Sequence, residues 1–322
     1  MNTSNGYCCF VRSDYVKQNA APSSFRSADS WVILSPIEQS IKRKIEAVGT
    51  PLKDWDINIY RGVLTGYNDA FIITTEKRNE ILDNCASEDE RKRTDGLIRP
   101  ILRGRDIKRY GYDWAGLWLI YIPWHFPYHL DESIQGASQK AEHAFQEQYP
   151  SVFAHMLQYK KPLSDRNKAE TGIRYEWYAM QRWGAKYWED FFIPKIIYPN
   201  MTKYMPFVYE EEGYMTNQKC FIITGHHIAY LTAFFNSSLF KYCFRDAFPE
   251  LQGGTRELSK IFFDKIPVKD VSEEENEEFT NIINELQNNY TKRISDIIEN
   301  KLFELYSLSL EERQAITRAF PN

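Results

Sequence analysis

The chain has 322 residues, 43% hydrophobic and 26% charged, with Lys+Arg 40 against Asp+Glu 44 for a net charge of −4. That is ordinary globular usage, enough for one large domain or two, and it excludes a disordered, collagen-like or coiled-coil chain. No run of about 18 apolar residues exists, so nothing reads as a membrane span, and Met1 to Phe10 lacks the basic-then-apolar order of a secretory signal.

Ser35-Pro36-Ile37 opens a helix to about Val48, with Ile37, Ile41, Ile45 and Val48 at helical spacing. Ile57 to Gly62 and Ala70 to Thr75 read as strands around the turn Thr65-Gly66-Tyr67-Asn68-Asp69. Lys77 to Cys85 reads as a short helix, Ser87 to Asp95 as a charged loop or helix end, Leu117 to Ile122 as a strand and Ser133 to Gln148 as a helix. Phe191 to Tyr198, Pro206 to Tyr209 and Lys219 to Thr224 read as strands, Ile228 to Phe244 as one helix, and Lys260 to Val268 as a last strand. Glu273 to Phe303 carries the apolar stripe of one long amphipathic helix, and the capping box Ser309-Leu310-Glu311-Glu312 starts a shorter one. The expected class is α+β: a mixed body over residues 1–269 followed by an antiparallel helical pair over 270–322.

Charge divides at the same place. Asp270 to Asn300 holds nine acids and two bases, a net of −7, and Lys301 to Asn322 is neutral, leaving +3 for Met1 to Lys269. Such asymmetry suits two parts with different jobs. Within the body, Arg99, Arg103, Arg105, Lys108 and Arg109 meet one acid, Asp106, and Met156 to Pro206 nets +4. Nine Tyr and Trp residues interleave that second stretch, from Tyr159 through Tyr175 and Trp183 to Tyr204. Cations engage phosphates, and planar donors and rings engage bases. The rings have a plainer reading as core or half-buried strand residues.

The motifs of common enzyme classes are missing: no G-x-G-x-x-G after a strand, no P-loop, no G-x-S-x-G. The five cysteines, Cys8, Cys9, Cys85, Cys220 and Cys243, contain no C-x-x-C and read as reduced cytoplasmic thiols. His125 and His129 have a metal-binding spacing, but Pro123 and Pro127 break any helix there. His226-His227 reads as the lead-in to the helix at Ile228. Glu90/Lys92 and Asp106/Lys108 match half of a magnesium-dependent nuclease motif, which keeps a divergent nuclease as an alternative.

Three glycine-bearing loops combine backbone access with polar and basic side chains: Arg61 to Asn68, Arg103 to Asp106, and Gln252 to Arg256. The series Trp55-Asp56-Ile57, Arg61-Gly62, Thr65-Gly66, Asn68 and Ala70-Phe71-Ile72-Ile73 resembles the opening of the TaqI-like C-terminal specificity domain of type IIG restriction-modification enzymes. Ile98 to Ile107, containing Leu102-Arg103-Gly104-Arg105-Asp106-Ile107, resembles that family's "LRGRDI" element. Phe192 to Pro199, Tyr230 to Leu239, Lys265-Ile266-Pro267 and Leu302 to Glu312 resemble its later elements in the same order, from about Trp31 to Arg318.

The resemblance implies a DNA target-recognition domain that positions methyltransferase and endonuclease activities lying outside this chain, in cis or as subunits. S-adenosylmethionine and magnesium would belong to those domains, with no cofactor and no metal here and no catalysis by this chain alone. The chain then reads as the C-terminal piece of a longer polypeptide or a freestanding specificity subunit. The candidate DNA contacts are Arg61, Thr65, Asn68, Arg103, Arg105, Lys160, Lys161, Arg174, Tyr175, Lys195, Lys203 and Arg256. A second alternative is a protein-docking subunit that binds little DNA and uses its acidic helices.

Overall fold

The computed structural model describes residues 34–166 and 168–321. Cys8, Cys9, the Met1 to Phe10 reading and the start of the resemblance at Trp31 lie outside the described residues. Ser35 caps α1 (Pro36–Val48) through a capping box with Glu38, and Ile41 and Ile45 form its buried face. Burying such a side chain contributes about 1.5–3 kcal/mol. After β1 (Gly49–Pro51) comes β2 (Ile57–Arg61). The strand expected over Ala70 to Thr75 is only half extended: α2 (Asn68–Phe71) precedes β3 (Ile72–Thr74). Ala70 and Phe71 are both fully buried in one core, which the alternation of a strand would not allow.

Thr74 caps α3 (Thr75–Asp83) and Ser87 caps α4 (Glu88–Leu97), which turns directly into β4 (Ile98–Leu102). The small hairpin β5 (Ile107–Lys108) and β6 (Gly111–Tyr112) leads to β7 (Leu117–Ile120). The helix expected from Ser133 starts only at Ser138, the cap of α5 (Gln139–Gln148), and α6 (Pro150–Leu157) and α7 (Lys160–Asp165) follow. Next come β8 (Lys195–Pro199), β9 (Met201–Thr202), β10 (Val208–Glu210), β11 (Met215–Thr216) and β12 (Cys220–Gly225). Phe191 and Phe192 fall in a short helical turn before β8, outside the strand expected there.

The helix expected over Ile228 to Phe244 is two, α8 (Ile228–Asn236) and α9 (Ser238–Phe244). Ser237 breaks it: its hydroxyl donates to the Phe234 carbonyl and accepts from the Phe240 N–H, a competing local bond. After β13 (Arg256–Glu257), the last expected strand is instead α10 (Lys260–Phe263) and the short β14 (Pro267–Lys269). The long C-terminal helix is likewise two, α11 (Glu273–Asn288) and α12 (Lys292–Leu305), recapped by Thr291. Lys301 reaches back to Glu278 across the turn, so the two run antiparallel before α13 (Leu310–Ala319).

β10, β8, β12 and β2 form an antiparallel central sheet in that order. β11, β4, β7 and β3 form a second sheet, with β11 parallel to β4. The central sheet is a wall between two cores. Ile59, Ile196, Tyr198 and Ile223 face one core, while Ile197, Val208 and Ile222 face the other. A strand buried on both faces reads as an unbroken apolar run, as in Ile196-Ile197-Tyr198. The first core runs from Ile41 to Ile316, so the helices beyond residue 270 pack on the central sheet with α1 and α8. The second core is built from the other sheet and α2 to α7.

Candidate nucleic-acid interface

Two of the chain's crossings between the two sheets, from β2 towards β3 and from β11 to β12, meet at one place. The crossings lie side by side: Gly62 N–H donates to the Cys220 carbonyl at 3.0 Å and Val63 N–H to the Thr216 carbonyl at 2.9 Å. A β-carbon at Gly62 would stand 2.2 Å from the Asn217 carbonyl oxygen, so only glycine allows this approach. Leu64 and Arg182 exchange backbone bonds at 2.8 and 2.9 Å, which adds the 181–187 segment to the seam. The Arg103 to Asp106 turn closes its other side. A β-carbon at Gly104 would sit 3.2 Å from the Pro199 side chain and 3.7 Å from the Lys219 carbonyl.

These contacts gather Arg61, Arg105, Arg182, Lys186 and Lys219 around one seam, with Lys203 just past β9. The arc continues across the Gly66 turn, where Tyr67 lies 6.1 Å from the ring of Tyr159, next to Lys160 and Lys161. Arg61, Asn68, Arg105, Lys161, Lys186, Lys203 and Lys219 are exposed. Arg61, Arg105, Lys161, Lys186, Lys203 and Lys219 have no carboxylate partner among the described residues. Arg61 lies 5.4 Å from the Phe221 ring centroid, and its carbonyl accepts the Tyr187 hydroxyl at 2.9 Å.

Other expected contacts are exposed but partnered. The Lys160 ammonium is 3.5 Å from Glu142 and 4.9 Å over Trp177, and Arg174 is 3.6 Å from Glu170. Arg103 is half-buried and held by Asp106 through two bonds of 2.7 and 2.9 Å.

Four expected contacts are corrected by burial. Tyr175 is 0% exposed and stacked on Trp124 at 4.8 Å between ring centroids. Lys195 is 0% exposed and ion-paired with Glu210. Arg256 donates to Phe248, Asp246 and Glu250 at 2.7–2.8 Å, which holds the last loop together. Thr65 is buried and donates to Asn68 Oδ1 at 2.6 Å, so it shapes the turn that presents Asn68. The aromatics follow the plainer reading: Tyr175, Tyr178 and Tyr198 are core, while Tyr204, beside Lys203, is 76% exposed.

The sequence-based choice passes over Arg182, Lys186, Lys219 and Arg166. Arg182 pairs with Leu64, and Lys186 and Lys219 lie on turns beside the Gly62 crossing, a proximity that only long-range pairing creates. Arg166 is structural. Its guanidinium donates to the carbonyls of Thr65, Trp177 and Ala179 and braces the Gly66 turn. Burial pushes it down to about 10. Arg182 is different: its Nε and Nη2 are shielded from water and have no acceptor.

The nuclease half-motifs are taken up structurally. Glu90 is buried and accepts from Ser151 N–H, Ser151 hydroxyl and Ala86 N–H at 3.1, 2.7 and 2.8 Å. Burial alone would raise its carboxyl, but those bonds outweigh it and hold the group below its usual range. Asp106 spends both oxygens on Arg103, while the Lys108 ammonium is 3.3 Å from the Arg105 carbonyl and 3.5 Å from Asp113. His125 Nδ1 pairs with Glu176 at 3.0 Å, and His129 meets the Trp183 ring edge-on.

The sequence profile of the TaqI-like C-terminal specificity domain matches residues 99–268, more than half of the chain. The chain belongs to that family. Among solved structures it is similar to the type IIG restriction endonuclease BpuSI, at 11% identity and TM-score 0.51, over 88% of this chain and 32% of that one. At that identity the likeness is one of fold. It also aligns with the type IIL restriction-modification enzyme MmeI, solved in complex with DNA, at 12% identity and TM-score 0.47, over 84% of this chain and 33% of that one. The chain thus spans about a third of each enzyme. A search of curated proteins gives no match. No helix among the described residues is long and apolar enough to cross a membrane.

Proposed function

We propose that the chain is the target-recognition module of a restriction-modification enzyme and holds double-stranded DNA along the basic arc from Lys203 to Lys161. The methyltransferase and endonuclease that it positions lie outside this chain, in cis or as subunits, with S-adenosylmethionine and magnesium belonging to them, and the whole acts in the cytoplasm. One observation carries the reading beyond family membership. In a chain of net charge −4, the exposed cations Arg61, Arg105, Lys186 and Lys219, without a carboxylate partner among the described residues, stand beside the seam where the β2–β3 and β11–β12 crossings meet.

The parts divide by chemistry. Exposed lysines suit phosphates, which fix register without reading sequence. Asn68, Arg61 and Arg105 have the planar donors that read base edges. Titrating this chain with a pool of random duplexes tests the proposal. Binding whose logarithm falls linearly with that of salt concentration, with one short sequence enriched, supports it. Salt-independent binding, or no binding to any duplex at low salt, refutes it.

A further inference from the structure

We propose that His226, His227 and Glu273 form a binding site for a borderline divalent transition metal, zinc foremost, at the corner where the central sheet meets the C-terminal helices. The two histidines follow β12 directly, and Glu273 is the first residue of α11. Their ligand atoms all lie within 4.8 Å of one another, and among the described residues they are the one such cluster.

His227 carries most of the argument. Its ring is 5% exposed and its backbone is left-handed, with φ 50°. Nδ1 lies 3.0 Å from Asp270 Oδ1, the carboxylate–histidine pairing that fixes a tautomer and leaves the other nitrogen free to ligate. That other nitrogen, Nε2, is buried without a hydrogen-bond partner. It points to within 3.4 Å of Glu273 Oε1, and His226 Nδ1 is 3.9 Å from the same oxygen.

In a tetrahedral zinc site with bonds of about 2.0–2.2 Å, ligand atoms stand roughly 3.3–3.6 Å apart. The first distance already fits. The second needs a shift of a few tenths of an ångström, and the two histidine nitrogens, within 4.8 Å of each other, must close to the same separation by rotation of the half-buried His226 ring, with the exposed Glu273 following. Two imidazoles and one carboxylate favour zinc, nickel or copper over magnesium or calcium. The fourth position would take water. An ion there would tie the β12–α8 corner to the first turn of α11, and so brace the acidic helices against the sheet.

Trp55 reports on the site, its ring centroid standing 6.4 Å from His226 and 6.5 Å from His227. Calorimetric titration of the metal-free chain with Zn2+ should give one site per chain, with a dissociation constant well below about 100 µM, and a higher melting temperature with metal. Cu2+ should quench a component of the tryptophan emission that Trp55→Phe lacks. His226→Asn and Glu273→Gln change accessible side chains, and each should weaken zinc binding by about tenfold or more. Their metal-free melting temperatures should stay unchanged. The site is refuted if Zn2+ binds no more tightly than Mg2+, or if the His226→Asn/Glu273→Gln double variant binds zinc as the parent chain does.

Discussion

Lys195 and Glu210 stand opposite each other in the register of β8 and β10, and their charges meet with 0% and 1% of the side chains exposed. The pair is well satisfied: the ammonium also donates to the Phe191 carbonyl at 2.9 Å, and Glu210 accepts the Glu212 N–H at 2.6 Å. Burial lowers the Lys195 ammonium's affinity for its proton, and Glu210 opposes that. Truncating one partner leaves the other charge buried, so Lys195→Ala should cost about 3–5 kcal/mol in urea unfolding. Lys195→Met/Glu210→Leu should restore most of it, because both charges leave together. Duplex affinity of the folded double variant should match the parent. A variant that folds normally but binds DNA many-fold more weakly would return Lys195 to the contact set.

Two glycines should respond oppositely to alanine. At Gly62 the new β-carbon meets the Asn217 and Thr216 carbonyl oxygens at 2.2 and 2.5 Å, and neither is a flexible side-chain tip. Gly62→Ala should force the sheet crossings apart, cost roughly 1–3 kcal/mol and weaken DNA binding by separating Arg61 from Lys219. Gly96 lies inside α4 with nothing within 4 Å of a β-carbon. Gly96→Ala should therefore stabilise by about 0.5–1 kcal/mol through helix propensity and lost unfolded-state freedom. Paired thermal melts would settle both signs, and a neutral Gly62→Ala would mean that the seam yields.

Lys241 makes stability depend on alkaline pH. Burial, then the charge of Arg109, push its ammonium down to about 8, with Glu299 pulling the other way. The unfolded lysine titrates near its ordinary value of 10.5. Between about pH 8 and 10.5 the unfolded chain holds a proton that the folded chain has lost, so this group's contribution to stability rises with pH across that window. Below it, the folded state carries a charge that it disfavours. Lys241→Met should raise the urea midpoint at pH 7, and the gain should fade towards pH 10. A constant gain across that range would show that Lys241 is not the titrating group.

Local signals carried part of this fold, and pairing at a distance carried the rest. The capping boxes at Ser35 and Ser309 start helices where their chemistry says they should. The apolar runs around Ile196 and Ile222 are strands because both faces are covered. Boundaries failed where a short side chain offered a competing bond, as at Ser237, or where a new cap restarted a helix, as at Thr291. In the site, exposure was the illegible quantity. Lys161 and Lys195 look alike in sequence, but Glu210 captures one of them through strand register. Tyr175 could be assigned to the core only once Trp124 was seen beneath it. The metal corner was hidden for the same reason, since Glu273 comes from an element 46 residues beyond His227 in the sequence.

The sorting of cations by burial predicts how DNA binding should respond to salt. Arg105, Lys161 and Lys203 are exposed and unpaired. Each that contacts a phosphate releases counterions on binding, so its removal to alanine should weaken affinity for all duplexes alike and reduce the salt slope by about 0.9. Lys160 and Arg174 must first leave Glu142 and Glu170, which blunts their contribution. Arg256→Ala should lower the melting temperature by releasing Asp246 and Glu250 while leaving the slope alone. Asn68→Ala should keep the slope but relax discrimination at one base pair, worth about 1–3 kcal/mol, and lower the melting temperature because the buried Thr65 hydroxyl loses its acceptor. Anisotropy titrations at several salt concentrations separate these outcomes. A slope that stays the same after Arg105, Lys161 and Lys203 are all removed would mean that DNA does not run along the seam.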